Sequence, residues 1–201
     1  MNIFVLDTSP VLAAQYQCDK HVVKMIVESA QMLSTAHRLL DGKMNIMRRP
    51  VKTNFVFNDH DYSTVDHYRK VKVWKLSDKK LDEKLYAVAH PGHPSTKWTM
   101  ESLGNYLWHY QHFCALCDEY THRYSKTHAT DTKLRFILDQ APANIPDGEM
   151  TPFKLAMMSN PECMDSSDPV GSYRKFYQTK QGRFKMVWTN RDRPDWFVVN
   201  T

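Results

Sequence analysis

Residues 18–40 read CDKHVVKMIVESAQMLSTAHRLL. Val22, Val23, Met25, Ile26, Val27, Ala30, Met32, Leu33, Ala36, Leu39 and Leu40 wrap most of the way around a helix over Asp19 to Leu40, so that helix is predicted to be largely buried. Within it, His21, Lys24, Glu28, Gln31, Thr35 and Arg38 recur at spacings of three and four and stack on one line. A core helix with one wet edge would account for part of that line. A solvent face would be wider than a single file between hydrophobic flanks, so the file reads as the floor of a polar site cut into an apolar core.

Working outward, 201 residues with 42% hydrophobic and 24% charged side chains can bury a sizeable core. The expectation is a mainly α fold: a compact helical bundle forming one domain over 1–201, with long loops and at most a minor short β element. No run of eighteen apolar residues occurs and MNIFVLDTSP has no basic region ahead of a signal core, so neither membrane nor export is indicated and cytoplasmic residence is expected in whatever cell makes the protein. Four scattered cysteines suit reduced thiols better than a disulfide scaffold. Of the net charge of +5, all lies between Asp41 and Lys97, where twelve Lys or Arg face seven Asp or Glu. That basic segment, interleaved with Phe55, Phe57, Tyr62, Tyr68, Trp74, Tyr86 and Trp98, suits phosphate contact with base stacking and makes nucleic acid the first partner to consider, although a solvated lysine-biased surface gives similar counts.

In order along the chain, Asn2 to Leu6 is a lone strand or an extended arm on the core. Ser9 and Pro10 start a helix to about Tyr16. Asp19 is expected to cap the main helix and Asp41-Gly42 to stop it, with glycine left-handed. From Lys43 to His67 the periodicity is lost, which reads as turn-rich loop with one short strand at Asn54 to Phe57; Thr64 to Ala89 reads as helical. The basic insertion is placed at about 43–86. HPGHPSTKW, His90 to Trp98, reads as a rigid turn. Met100 to Tyr124 is a second strong helix, with Leu103, Leu107, Tyr110, Phe113, Cys114, Cys117 and Tyr120 apolar, and Asn105, His109, His112, Glu119 and Arg123 left for polar surroundings. A short helix follows over Asp131 to Gln140, and the region from 141 to 201 is loop-rich.

Several chemistries lack their motif. Cys114 and Cys117 fall mid-helix with no second pair, unlike a structural zinc site, and the histidines at 90, 93, 109 and 112 serve a turn or a phosphate as readily as a metal, so no metal and no cofactor is expected. There is no Gly-rich phosphate loop and no Gly-x-Ser-x-Gly elbow. Glu28 remains: a carboxylate among Met25, Ile26 and Val27, one turn from Lys24 and two from His21, is suited to act as a base or to stabilise a cationic intermediate. A structural Lys24–Glu28 pair is the plain alternative.

Asp19-x-His21, with Glu28 seven residues beyond the histidine, resembles the first-helix signature of the phage endonuclease V family, small helical pyrimidine-dimer DNA glycosylases. His93-Pro94 resembles an Asn-His-Pro element of that family. Glu119-x-x-x-Arg123-Tyr124 is similar to its Glu-x-x-x-Arg-Gly-Tyr/Phe, and Tyr173-Arg174-Lys175-Phe176-Tyr177 to an aromatic-basic segment along DNA. In the family the α-amino group of an N-terminal Thr forms a Schiff base with the sugar; here Met1 is followed by Asn2. The arginines flanking the family's glutamate are Val27 and Gln31 here, and the insertion has no counterpart.

The resemblance implies a DNA N-glycosylase acting on a flipped damaged or modified pyrimidine in DNA, double-stranded by expectation; with the N-terminal Thr missing, glycosidic cleavage without the lyase step is expected. Glu28 is the expected catalytic group, with His21 orienting it. Lys24, Arg38, Lys97 and Arg174 are expected phosphate contacts and Trp98, Tyr173 and Tyr177 stacking surfaces. Gln31, His93, Asn105, Arg123 and Lys175 complete the expected nucleic-acid-binding set. Two alternatives stand beside this: a transferase modifying a hydroxymethylpyrimidine in phage DNA, and a non-catalytic nucleic-acid-binding or counter-defence protein.

Overall fold

In the computed structural model, which describes residues 1–57 and 60–199, the helix over residues 19–40 lies at the centre. The order is α1 (Pro10–Gln15), α2 (Asp19–Leu40), β1 (Lys43–Phe57), β2 (His60–Lys75), α3 (Lys79–Lys84), α4 (Pro94–Thr99), α5 (Leu103–Tyr124), α6 (Ala129–Leu138) and α7 (Pro169–Gln178), with short 3₁₀ turns at Pro161–Cys163 and Thr179–Gly182. The fold is mainly α, as its sequence implies. Ser9 caps α1 with Pro10 in its first turn, and α5 begins on the Ser102 hydroxyl.

α2 packs chiefly against α5, and also against α4 and α6. Val22, Met25, Ile26, Ala30, Met32, Leu33 and Ala36 are all fully buried. At about 1.5–3 kcal/mol for each large apolar side chain removed from water, this one helix supplies a major share of the hydrophobic driving force. Asn2 to Leu6 forms no strand; it is a buried arm on the core, turned at Phe4, whose φ is 56°.

Several local expectations are corrected. Cys18, not Asp19, is the N-cap of α2, because the Asp19 carboxylate is drawn away by Arg123 and Thr189. Asp41 is the C-cap, and Gly42 is not left-handed; a Cβ there would collide with the Arg38 carbonyl, so close approach explains the glycine. Residues 94–99 of the expected turn form α4, capped by the His93 ring.

The largest departure is at 43–75. The expected loop is strand β1, and the expected helix from Thr64 is strand β2, antiparallel to it, with α3 as a single short helix beyond. The two strands pair from Lys43↔Lys75 to Phe57↔His60, with a register shift between Val51 and Lys52. None of the ribbon's described side chains is buried, so its sequence has no period of two to read; β-branched and aromatic residues (Val65, Tyr68, Val71, Val73, Trp74) favour the extended form instead. Residues 58 and 59 of the expected turn-rich NDHDYS stretch, and the Phe55, Phe57 and Tyr62 side chains, lie outside the described residues.

Arg38 ties this ribbon to the body. Its guanidinium donates to the Trp74, Tyr86, Asp82 and Leu85 carbonyls and to Asp82 Oδ1, five bonds of 2.5–2.9 Å. Burial raises the Asp82 carboxyl, but its bonds to Arg38, Lys75 and the Leu76 amide outweigh that and hold it down at about 2. Arg38→Ala removes the cation and strands the carbonyls it satisfied. The expected cost is about 3–5 kcal/mol, seen as a lower urea midpoint.

Candidate active site

Along α2 the polar file divides into three functions. At its start, His21 is buried; its Nδ1 lies 2.7 Å from the Tyr177 hydroxyl and its ring packs on Phe4 and Phe184. Burial, then the charges of Lys24, Lys180 and Lys20, push its pKa down to about 4, so the ring is neutral at ordinary pH. It makes no hydrogen bond to Glu28 among the described residues, and its position is that of a core histidine holding α7 against α2. At the end of the file, Thr35 bonds the Ala89 amide at 3.0 Å and Arg38 grips 82–86. These two strap the loop that leads into His90 and His93.

Between those ends lies an open stretch. The Glu28 side chain is 14% exposed, and its Oε1 is 3.0 Å from Lys24 Nζ. Its Oε2 accepts the Asn2 amide at 3.1 Å and lies 3.7 Å from the Met1 amine. The buried arm delivers those nitrogens: Asn2 Nδ2 donates to Ala156, while its Oδ1 accepts from the Ile3 and Phe4 amides. His93 stands within electrostatic reach. Its pKa is lowered by burial first, then by the Met1 amine and His90, with Glu28 opposing. Gln31, one turn beyond Glu28, is half-buried and makes no side-chain hydrogen bond among the described residues. One carboxylate, an exposed cation and two main-chain nitrogens thus meet at a point with access to solvent.

Of the expected contacts, Lys24, Lys97 and Lys175 are exposed, and Gln31 and His93 are half-buried. Lys97 lines an open groove of about 760 Å³ with Pro94, Phe153 and Leu155. The others are engaged by partners within the protein, and all but the half-buried Arg174 are buried. Arg38 is saturated as described. Trp98 is buried against Trp108 and Phe153, with its Nε1 on the Thr151 carbonyl. Asn105 is buried and bonds the Trp98 carbonyl and Thr151. Tyr173 and Tyr177 are core residues, donating to the Lys154 carbonyl and meeting His21, respectively. Arg174 bonds the Leu6 carbonyl and Asp7 and lies over Tyr16 and Trp196. Aromatic and cationic residue types that suit DNA suit a packed core equally well, and burial decided between the two.

Arg123 is the clearest case. Its side chain is wholly buried and bonds Asp19 at 2.8 Å, Glu119 at 2.7 Å and the Gln15 carbonyl. Glu119 also receives Arg191, and Asp19 the Thr189 amide and hydroxyl. Burial raises the Glu119 carboxyl, but its two arginine partners outweigh this and hold it below the usual carboxylate range. Asp19 and Arg123 therefore lock α2, α5 and the C-terminal tail together, and they frame Glu28 rather than meet a substrate. The Asn2 amide and Arg191 escaped the sequence reading because main-chain groups and tails carry no periodic signal; the family's N-terminal amine was the one hint of the former. Among the described residues no three His, Cys, Asp or Glu side chains converge as a metal ion would require, and no helix is long and apolar enough to cross a membrane.

A partly exposed glutamate held against a lysine and main-chain nitrogens can stabilise positive charge or accept a proton. Residues 1–132 match the family model described as pyrimidine dimer DNA glycosylase. That match spans most of the chain, and the chain belongs to the pyrimidine dimer DNA glycosylase family, in agreement with the Asp19-x-His21 and Glu28 signature. The Tyr173–Tyr177 segment lies beyond the matched residues. No curated protein and no solved structure matches the chain.

His37 and His112 share the state of His21: burial, before the smaller opposing contributions, pushes each down to about 4. Unfolded, all three titrate near 6.5, so between the two values the unfolded chain binds protons that the folded protein does not. Their contribution is intact above about pH 6.5 and is lost as pH falls toward 4, at roughly 3 kcal/mol per histidine at most. The urea midpoint should fall steadily over that window; a flat profile would show that these rings are not held neutral.

Proposed function

We propose that the chain is a DNA N-glycosylase that excises a damaged or modified pyrimidine turned out of the duplex, with Glu28 as its catalytic carboxylate. Family membership gives the DNA-glycosylase-like activity, and the convergence of Lys24, the Asn2 amide and the residue-1 amine on Glu28 supports the assignment of the site. As the glycosidic bond breaks, positive charge grows on the sugar, and a fixed carboxylate beside it stabilises that state or takes a proton from an attacking water. Lys24, exposed on the rim, is placed to meet a phosphate of the flipped nucleotide. His21, held neutral at Tyr177, positions α2 instead of acting on the base.

One observation favours a second version of the chemistry. An amine at residue 1, or at residue 2 if the first is removed, would lie within 3.1–3.7 Å of Glu28. Such an amine could attack the sugar carbon as the base departs; the bond to the base breaks, the amine loses a proton, and sugar opening gives an iminium. Water attack would leave an abasic site and no covalent adduct.

Incubation with ultraviolet-irradiated duplex separates these versions. Glu28→Gln is expected to lower base release by about 10²–10⁴-fold while the fold survives. Strand breaks appearing only after hot alkali indicate water; a borohydride-trapped adduct indicates the amine. Full excision by Glu28→Gln would sink the assignment of Glu28, and no release by the native protein from irradiated DNA would sink the pyrimidine-lesion reading.

A further inference from the structure

The β1–β2 ribbon has no part in the site described above, yet it carries the charge of the whole molecule. Residues 43–75 hold eight Lys or Arg against three Asp, a net of +5, equal to that of the entire chain. Apart from its base the ribbon stands clear of the helices: residues 43–50, 52–54, 63–65 and 67–70 are all exposed. Fifteen paired residues at about 3.4 Å each give an arm about 50 Å long.

Its register sorts the side chains onto two faces. Arg48↔Lys70 and Ile46↔Lys72 share one face with Pro50↔Tyr68; Arg49↔Arg69 and Lys43↔Lys75 share the other. Like charges directly opposite one another destabilise a strand pair, so these juxtapositions oppose the ribbon's own stability. Lys75 is neutralised by Asp82. Arg48, Arg49, Lys52, Arg69, Lys70 and Lys72 make no ion pair with any side chain outside 55–62 and 66. Between the cations stand apolar side chains that a free surface does not need: Ile46 is 63% exposed and Tyr68 61%.

We infer that this ribbon is a DNA-binding arm that lies in a groove of the duplex, separate from the glycosylase centre, with cations on both faces reaching the two flanking phosphate strands and Tyr68 and Ile46 meeting the groove floor. A two-stranded ribbon fits the major groove, which is about 12 Å wide, and an arm of this length covers more than one turn of about 34–36 Å. A second copy of the chain fits less well: cations and the register shift at Val51/Lys52 discourage strand pairing at the ribbon's edges. The base of the arm is fixed by Arg38, ten residues along α2 from Glu28, or about 15 Å of helix. A duplex held by the arm would therefore present its neighbouring base pairs to that carboxylate, and in this respect the inference rests on the proposed function.

The test is binding of an undamaged 30-base-pair duplex by fluorescence anisotropy between 50 and 200 mM salt, for the native protein and for R48Q/R49Q/R69Q/K70Q. Loss of four phosphate contacts should flatten the slope of log affinity against log salt by about 3–4 and weaken binding on the order of a hundredfold at the lower salt. An unchanged slope overturns the inference, as does a variant whose only change is in sedimentation, which would make the ribbon an interface between copies. Hydroxyl-radical footprinting of the native protein on the same duplex requires no variant: groove protection extending about one turn to one side of the bound site supports the arm, and a footprint confined to a few base pairs overturns it. Arm-dependent binding without excision would leave the arm standing and remove the glycosylase; excision with an unchanged salt slope would do the reverse.

Discussion

Two guanidinium groups fix α2 at its two ends, and the rest of the structure follows from them. A buried charge without partners costs several kcal/mol, so each arginine must find a complete set of acceptors. Arg123 finds Asp19, Glu119 and the Gln15 carbonyl, binding the start of α2 to α1 and α5. Arg38 finds Asp82 and a fan of carbonyls, binding the end of α2 to the ribbon and the 82–86 segment. Between these fixed ends the helix has little freedom, and Glu28 sits in that interval.

Fixing the helix also fixes what surrounds Glu28. The Thr35 and Arg38 bonds draw in the loop carrying His90 and His93, while the arm from Met1 to Leu6, buried beside His21 and Tyr177, brings main-chain nitrogens to the carboxylate. The family's signature residues thus have unequal duties. Glu28 keeps access to solvent; Asp19, His21 and Arg123 hold the frame. The proposed role of Glu28 calls for a carboxylate held rigidly where charge develops, and neutral or fully paired buried groups give that rigidity without adding a competing charge.

The ribbon obeys the opposite physics. Among its described side chains it buries almost nothing and sets like charges opposite one another in register, and its base is held to the body by Arg38 and Asp82. Such an element contributes little to the stability of the free protein, and its cationic composition suits the proposed contact with phosphate.

Part of this was legible in the residues. The apolar wrap of 19–40 specified a buried helix and a mainly α fold, because burial on most sides leaves a hydrophobic pattern that no loop would carry. The interval from Asp19 and His21 to Glu28 pointed to the family through its resemblance to that family's first-helix signature. The ribbon was not legible, since a hairpin exposed on both faces has no alternation to betray it. Nor were the roles of Trp98, Asn105, Tyr173 and Arg123, or the buried inner face that Asn105, His109 and His112 give to α5. Polar side chains enter a core only when distant partners satisfy them, and those partners, the Thr151 carbonyl, Asp19, Gln17 and Thr99 among them, are brought within reach by tertiary structure alone.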